Sequence, residues 1–364
     1  MKHKITFIIN NLKGGGAEKV CITLANGLVK RGFDIDLVVL GLKGSVREAE
    51  LSKDVKLINL EVHNTRKSVF ALKKYIKQEK PTTILSFNRQ ISIVLGLVRT
   101  IFKFKFKLIS RNIIFLSVAE SHKKGLWHGV VSSFLVKKFY SLSDCIIAQS
   151  IDMGKDLQDY LKMDDSKIVV INNPINREIE KFVNMKNEFK IEKKNYFLCV
   201  GRLENQKAFH YAINAFYVVL KKYPLLKLKI VGSGSLEDEL KNLVKKLGIE
   251  RNIDFEGFQS EMIPYYLFAN ATILTSLFEG FPNVLTESIA LGTPVVSFDC
   301  PSGPNEIVQD GLNGYLVKYK DTNHLISCME LALNNEWDYT KLIHSVDCYS
   351  SNKILNEYEK LLLS

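Results

Sequence analysis

Short apolar runs alternate with helical patterns along the whole chain. The runs Lys4–Ile9, Asp36–Leu40, Val55–Leu60, Thr82–Ser86, Lys105–Ile109, Cys145–Ala148 and Ile168–Ile171 have the length and composition of buried strands. Helical spacing of apolar residues fills most of the gaps, as in Ala17–Lys30 and Ser68–Gln78. The alternation then restarts. Strands are expected at Tyr196–Val200, Leu226–Val231, Asn252–Phe255, Ala271–Leu274, Pro294–Phe298 and Tyr315–Val317, and helices at Ala208–Lys222, Leu236–Leu247, Val284–Leu291 and Asn323–Asn334. Such a series predicts an α/β protein with two mostly parallel, doubly wound sheets. The turn-rich Asn172-Asn173-Pro174-Ile175-Asn176 and the charged stretch from Arg177 to Lys194 read as the linker between them. The expected domains are 1–175 and 176–345, followed by a helix over 346–364 able to pack back on the first domain. Ligands of doubly wound sheets bind at the carboxyl ends of the strands, so the expected site is a cleft between the two domains.

Composition narrows the class. At 364 residues the chain is too long for one small domain, and 46% hydrophobic with 24% charged residues is ordinary for a globular protein. This excludes a largely disordered chain, a collagen-like fibre and a disulfide-stapled miniprotein. Cys21, Cys145, Cys199, Cys300, Cys328 and Cys348 form no C-x-x-C pair, which points to a reducing cytosol and not to a metal site. The apolar stretch Ile5–Ile9 is short for a signal peptide. The best candidate for a span, Ile91 to Phe102, is interrupted by Ser92, Arg99 and Thr100 and falls well below the ~20 residues a bilayer requires. A soluble or peripheral protein is expected.

Charge separates the halves. The net charge is +11, but residues 1–175 hold 29 Lys and Arg against 15 Asp and Glu, whereas residues 176–364 hold 21 against 24. The excess therefore places an anionic partner on the first domain: a membrane surface, a phosphorylated small molecule or nucleic acid. Phe102-Lys103-Phe104-Lys105-Phe106-Lys107 alternates with period two, as a half-buried or edge strand would. Lys123-Lys124-Gly125-Leu126-Trp127-His128, with the apolar run to Val136 and Lys137-Lys138, fits an interfacial membrane element or a core helix with solvated lysines. No nucleic-acid-binding motif accompanies the charge.

Four segments carry candidate chemistry. Leu12-Lys13-Gly14-Gly15-Gly16-Ala17-Glu18 joins the first strand to a helix, and its glycines admit a ligand to the helix start or simply make a tight turn. Gly201-Arg202-Leu203-Glu204-Asn205-Gln206-Lys207 puts two cations at a strand end, as a diphosphate needs, unless the loop is merely solvated. Val231-Gly232-Ser233-Gly234-Ser235-Leu236 lacks the third glycine of a dinucleotide fingerprint and reads as a turn beside the cleft. Phe278-Glu279-Gly280-Phe281-Pro282-Asn283-Val284-Leu285-Thr286-Glu287 sets one glutamate before a helix and one inside it, with the N–H groups around Val284 and Leu285 free between them. His122, His128 and His210 have no partner pattern. Asp34-Ile35-Asp36 superficially matches a metal-binding D-x-D but opens a strand.

Taken together, Gly15-Gly16-Ala17-Glu18, Gly201-Arg202-Leu203 with Lys207, the Glu279/Glu287 pair and Ala290-Leu291-Gly292-Thr293-Pro294-Val295-Val296 resemble family 4 glycosyltransferases over residues 1 to about 320. The resemblance implies a GT-B fold of two Rossmann-like domains facing across a cleft, retention of anomeric configuration, a UDP-sugar as co-substrate, and no required cofactor or metal. Asp299-Cys300-Pro301-Ser302-Gly303-Pro304-Asn305-Glu306 is similar to the branch that builds bacterial O-antigen and capsule, often with UDP-galactose or UDP-N-acetylhexosamine.

By position, the resemblance implies that Arg202 and Lys207 hold the donor diphosphate, Glu287 the ribose and Glu279 the transferred sugar. Gly201, Phe281, Asn283, Val284 and Leu285 complete the donor site, while Gly15, Gly16, Glu18 and Arg111 border phosphate and acceptor. Catalysis falls to Glu279, Arg202, Lys207 and Asn112. Asn112 stands where many members have a histidine, and it can position a sugar but cannot relay a proton. The implied acceptor is an undecaprenyl-diphosphate-linked oligosaccharide at the cytoplasmic face of the membrane, met by a peripheral enzyme with an anionic membrane surface as partner and no nucleic acid. A sugar-nucleotide epimerase of the same fold would need a proton-transfer residue, for which the sequence offers no convincing candidate. A non-catalytic sugar-nucleotide or nucleic-acid-binding module is the remaining alternative, and for sugar nucleotides the intact motifs disfavour it.

Overall fold

The computed structural model describes residues 3–13, 15–62, 67–121, 136–185 and 192–364. The chain forms two units, one running to Pro174 and including Ser351–Ser364, the other Ile175–Ser350. In the first unit the strands are β1 Lys4–Ile9, β2 Asp34–Val39, β3 Lys56–Asn59, β4 Thr83–Ser86, β5 Lys107–Arg111, β6 Cys145–Ala148 and β7 Ile168–Val170. All pair in parallel in the order β3-β2-β1-β4-β5-β6-β7. The second unit has β8 Tyr196–Val200, β9 Lys227–Val231, β10 Ile253–Gly257, β11 Ala271–Leu274, β12 Val295–Phe298 and β13 Gly314–Val317, in the order β10-β9-β8-β11-β12-β13. Both sheets are parallel and doubly wound, as the alternation predicts.

Strands such as β6 and β8 are apolar at every position because helices cover both faces of a parallel sheet. In both units the strand order reverses beside the first strand, between β1 and β4 and between β8 and β11. At such a switch point the connections leave in opposite directions and open a crevice at the carboxyl edge. The loop after β8 is 201–207, and the loop after β11 leads to Glu279. Topology thus brings both candidate segments to one edge.

Several local expectations change. The stretch Phe102–Lys107 is not an edge strand. Phe102 ends the helix Arg89–Phe102, Lys103 caps it in the left-handed region, and Lys107 opens β5, which lies between β4 and β6. Phe102 and Phe104 pack against the core around Leu72 and Leu95, so the period of two joins a helix end to a coil. The charged stretch after Asn176 is not all linker. Asn176 caps a helix over Arg177–Asn184, accepting from the Glu178 N–H, and Ile179 is buried in the second unit.

The second unit extends to Ser350 because Tyr349 packs edge-on against Phe281 at 5.3 Å and its carbonyl accepts from the Ile175 N–H. The helix Ser351–Leu363 then belongs to the first unit. Ile354, Leu355, Tyr358 and Leu362 enter its core, and a side chain on Gly27 would overlap Leu355. Arg31 holds the other face, bonding Asn352, Asn356 and Glu359. Asp34 and Asp36 lie in β2, and Asp36 is buried against Lys4 and the Tyr75 hydroxyl, so the D-x-D pattern is strand sequence. Among the described residues no helix is long and apolar enough to cross a membrane. Lys123 to Lys124, Trp127, His122 and His128 lie outside the described residues.

Candidate active site

The 201–207 loop is held from two sides. On one side the Gly201 N–H donates to Val231 O, Leu203 N–H to Ser233 O, and the Ser235 N–H and hydroxyl both donate to the Glu204 carboxylate. These contacts explain the two glycines of the 231–236 turn. A Cβ on Gly232 would stand 1.9 Å from Gly201 O, and one on Gly234 2.4 Å from Leu203 O. The turn is a buttress for the cation loop.

On the other side the loop is tied to the segment after β11. Leu277 N–H donates to Gln206 O, the Gln206 amide donates to Phe278 O at 2.9 Å, and the Thr275 hydroxyl donates to the Lys207 and Ala208 carbonyls. Ala208 takes a left-handed conformation to start the helix Phe209–Leu220, a strained geometry that the surrounding bonds hold in place.

Lys207 reaches across this junction. Its stem passes over Gly201, where a Cβ would approach Lys207 Cε to 2.7 Å, and its ammonium donates to Glu279 Oε1 at 2.6 Å. Arg202 is exposed at the loop tip, with Nη2 3.4 Å from Gln206 Oε1. Glu279 is 7% exposed, and its own N–H donates to Pro301 O. The 299–304 loop behind it is pinned by the Ser302 hydroxyl, which donates to Gly280 O, and by the close approach of Gly303 to Pro282.

The helix Asn283–Ala290 starts at Pro282 with no side-chain cap. The Leu285 N–H is not free as expected, because it donates to Pro282 O, whereas among the described residues the Val284 N–H has no backbone partner. The side chains of Phe281 and Leu285 belong to the core, so only their backbone can face a ligand. Asn283 and Val284 are partly exposed at the helix start. Glu287 is 8% exposed and accepts from the Tyr266 hydroxyl at 3.1 Å. Burial, then the Glu287 charge, pushes the Tyr266 hydroxyl well above its ordinary range, so it remains a donor. No motif marks Tyr266, one aromatic among several in Ile263–Phe268.

In the first unit Gly15 is the N-cap of the helix Gly16–Lys30, and its missing side chain makes room for the Glu18 carboxylate, whose Oε2 would lie 2.4 Å from a Cβ there. Gly14 lies outside the described residues. Two expected site residues are placed differently. Arg111 is 1% exposed: Nη2 donates to Asn173 Oδ1, the Phe87 ring lies 5.9 Å away, and Cys21 and Tyr358 adjoin it. It is an interior cation, expected beside acceptor phosphate and found enclosed within the unit. Asn112 is fully buried, donating to Ile114 O at 2.7 Å and accepting from the Tyr140 hydroxyl at 3.3 Å, while Gln149 binds its carbonyl. One amide N–H and the amide oxygen are thus bonded within the unit, whereas the expected sugar contact would need the side chain open to a ligand. His210 is exposed beside Tyr211. Among the described residues no group of three His, Cys, Asp or Glu side chains is placed to hold a metal.

The second unit therefore presents, at one edge, two cations, two carboxylates and a helix start. That set can take an anion flanked by hydroxylated rings.

Comparison with known proteins agrees with this picture. Residues 14–179 match the family model described as Glycosyltransferase Family 4, and residues 180–347 match Glycosyl transferases group 1. The chain is 28% identical over 377 residues to an uncharacterized glycosyltransferase of Haemophilus influenzae, covering 99% of both chains. It is 29% identical over 341 residues to the Campylobacter jejuni N-acetylgalactosamine-N,N'-diacetylbacillosaminyl-diphospho-undecaprenol 4-alpha-N-acetylgalactosaminyltransferase, covering 92% of this chain and 91% of that one. Its fold is similar to that of Anabaena Alr3699/HepE, solved in complex with UDP, at a TM-score of 0.76 and 18% identity over the whole of both chains.

Proposed function

The chain belongs to glycosyltransferase family 4 and has its GT-B fold, and on that premise we propose that it transfers a hexose or N-acetylhexosamine from a UDP-sugar, with retention, to a lipid-diphosphate-linked oligosaccharide. The acceptor's carrier would be undecaprenyl diphosphate, and the product a precursor of O-antigen or capsule. The Campylobacter relative's acceptor, a diphospho-undecaprenol, supports that class of substrate, and the UDP held by Anabaena HepE supports the donor.

The observation that carries this reading is the Lys207–Glu279 pair beside Arg202, at the β8/β11 switch point. With the donor bound, Lys207 and Arg202 would face the diphosphate, and the Val284 N–H at the helix start would add a dipole of the same sense. Glu279 would turn from the ammonium to a hydroxyl of the transferred sugar, and Glu287, oriented by Tyr266, would accept from the ribose hydroxyls. As the glycosidic bond breaks, the electron pair goes to the departing UDP oxygen, where the two cations stabilise it. The charge comes from side chains, so this scheme requires no metal. The acceptor hydroxyl would attack from the face the diphosphate leaves and pass its proton to the departing phosphate oxygen, which gives retention.

The proposal includes a peripheral position at the inner face of the cytoplasmic membrane; the charge of the first unit supports contact with an anionic surface, as does Phe70, which is 75% exposed on a helix that also exposes Lys74 and Lys77. A panel of UDP-sugars scored by UDP release, with NMR of the product linkage, tests both donor and stereochemistry. Retention fails if the new linkage has the opposite anomeric configuration to the donor.

A further inference from the structure

Lys193 precedes β8 in a stretch of charged residues, yet its ammonium turns into the second unit. It donates to Leu267 O at 3.0 Å, to Gly292 O at 3.1 Å and to Thr293 Oγ1 at 2.6 Å, which uses all three of its N–H groups. Among the described residues no carboxylate lies within ion-pair distance. Its counter-charge is instead the backbone. Leu267 lies in the last turn of the helix Ile263–Phe268, and Gly292 follows the helix Asn283–Ala290. Two helix carboxyl ends, each carrying partial negative charge and unpaired carbonyls, meet at one ammonium.

The contacts continue beyond it. Thr293 is fully buried, and while its hydroxyl oxygen accepts from Lys193, its hydroxyl proton is donated to Tyr266 O at 2.6 Å. The Thr293 N–H donates to Ser288 O, and the Ser288 hydroxyl returns a bond to Thr293 O, which fixes Thr293 to the 283–290 helix. Tyr266 in turn gives its phenol to Glu287. A continuous path of hydrogen bonds and one residue's backbone therefore runs from Lys193 through Thr293 and Tyr266 to the Glu287 carboxylate.

We propose that Lys193 is a positioning residue for donor binding, clamping the carboxyl ends of the 263–268 and 283–290 helices and thereby setting the orientation of Glu287. This rests on reading Glu287 as the ribose acceptor. Lys193 touches no substrate and acts only through Tyr266 and the helix it fixes.

The test is a double-mutant cycle read by calorimetric titration of the full chain with UDP. Lys193→Met and Tyr266→Phe are each expected to weaken UDP binding about tenfold. The double variant should be little weaker than the worse single one, because both act on Glu287. In turnover the donor KM should rise more than kcat falls. UDP affinity within twofold of the parent for Lys193→Met, with only a lower melting temperature, or fully additive losses, would overturn the proposal. Should Lys193→Met not fold, Thr293→Val keeps the ammonium and cuts the path, with the same weakening expected and unchanged affinity counting against it. Glu287→Gln separates the two readings. If it binds UDP normally, the ribose role of Glu287 fails; if it loses UDP while Lys193→Met does not, only the positioning role fails.

Discussion

Lys207 Nζ and Glu279 Oε1 are 2.6 Å apart, with side chains only 14% and 9% exposed. A pair so far out of water is held less by its mutual attraction than by the cost of leaving either charge alone. Lys207→Met and Glu279→Gln should each destabilise the fold, by roughly 3–5 kcal/mol at full burial and less here. Both should cut transfer by about a hundredfold or more. The double variant should regain much of the stability and none of the activity. Melting curves beside UDP-release rates check this, and a double variant as unstable as the worse single one would show that the pair is not coupled.

The cation loop depends on close backbone approach, which gives an ordered pair of glycine variants. At Gly232 (φ +141°) a Cβ would meet the Gly201 carbonyl, which cannot move without dragging the loop. At Gly201 (φ +151°) it would meet the flexible stem of Lys207. Gly232→Ala should therefore lower the melting temperature more than Gly201→Ala. Gly201→Ala should raise the donor KM by displacing Lys207. Equal melting temperatures would contradict the buttress role of the 231–236 turn.

Burial pushes the Lys193 ammonium from its ordinary 10.5 down to about 7, since its three partners are neutral, so above that pH it is an amine that keeps two of its three donated bonds. Carbonyls of Leu267 and Gly292, the Thr293 hydroxyl and the Tyr339 ring 5.8 Å away face it. The folded pKa lies below the unfolded one, so between about pH 7 and 10.5 the unfolded chain binds more protons and stability rises with pH. The slope from this group is at most about 1.4 kcal/mol per pH unit. The melting-temperature gap between the parent and Lys193→Met should widen in favour of the parent from pH 7 to 9.5. Parallel curves would contradict it.

The charge of the first unit should be read out on lipid. Co-sedimentation with vesicles containing anionic phosphatidylglycerol is expected at low salt and should fall steeply as salt rises, because the surface potential decays within a Debye length. Phe70→Ser should weaken it further. No binding to anionic vesicles at low salt would remove the membrane from the account.

Much of the fold was legible because parallel strands buried on both faces are largely apolar, so β1, β6, β8 and β11 coincide with the expected runs at both ends. The run Phe102–Lys107 misled because a helix end, a left-handed cap and a coil can alternate in sequence without being a strand. In the candidate site, glycines, paired cations and paired carboxylates singled out the segments 201–207 and 279–287, but each alone also fits a solvated loop or an ordinary helix start, and the family resemblance is what joined them. Burial was not. Arg111 and Asn112 are polar residues at a strand end, a place that favours ligand contact, yet Asn173, Tyr140 and the returning C-terminal helix enclose them. Lys193 and Tyr266 carry no signal either, since one is a lysine in a charged stretch and the other an aromatic in an apolar helix. Their roles arise only when strand and helix ends meet.

Transfer by this site is measured most directly as UDP release from a panel of UDP-sugars with an undecaprenyl-diphosphate-linked oligosaccharide, comparing the parent with Lys207→Ala and Glu287→Ala. The parent is expected to show acceptor-dependent release with one class of UDP-hexose or UDP-N-acetylhexosamine, falling by about a hundredfold or more in either variant. Near-parental rates in both variants with the same donor would contradict it.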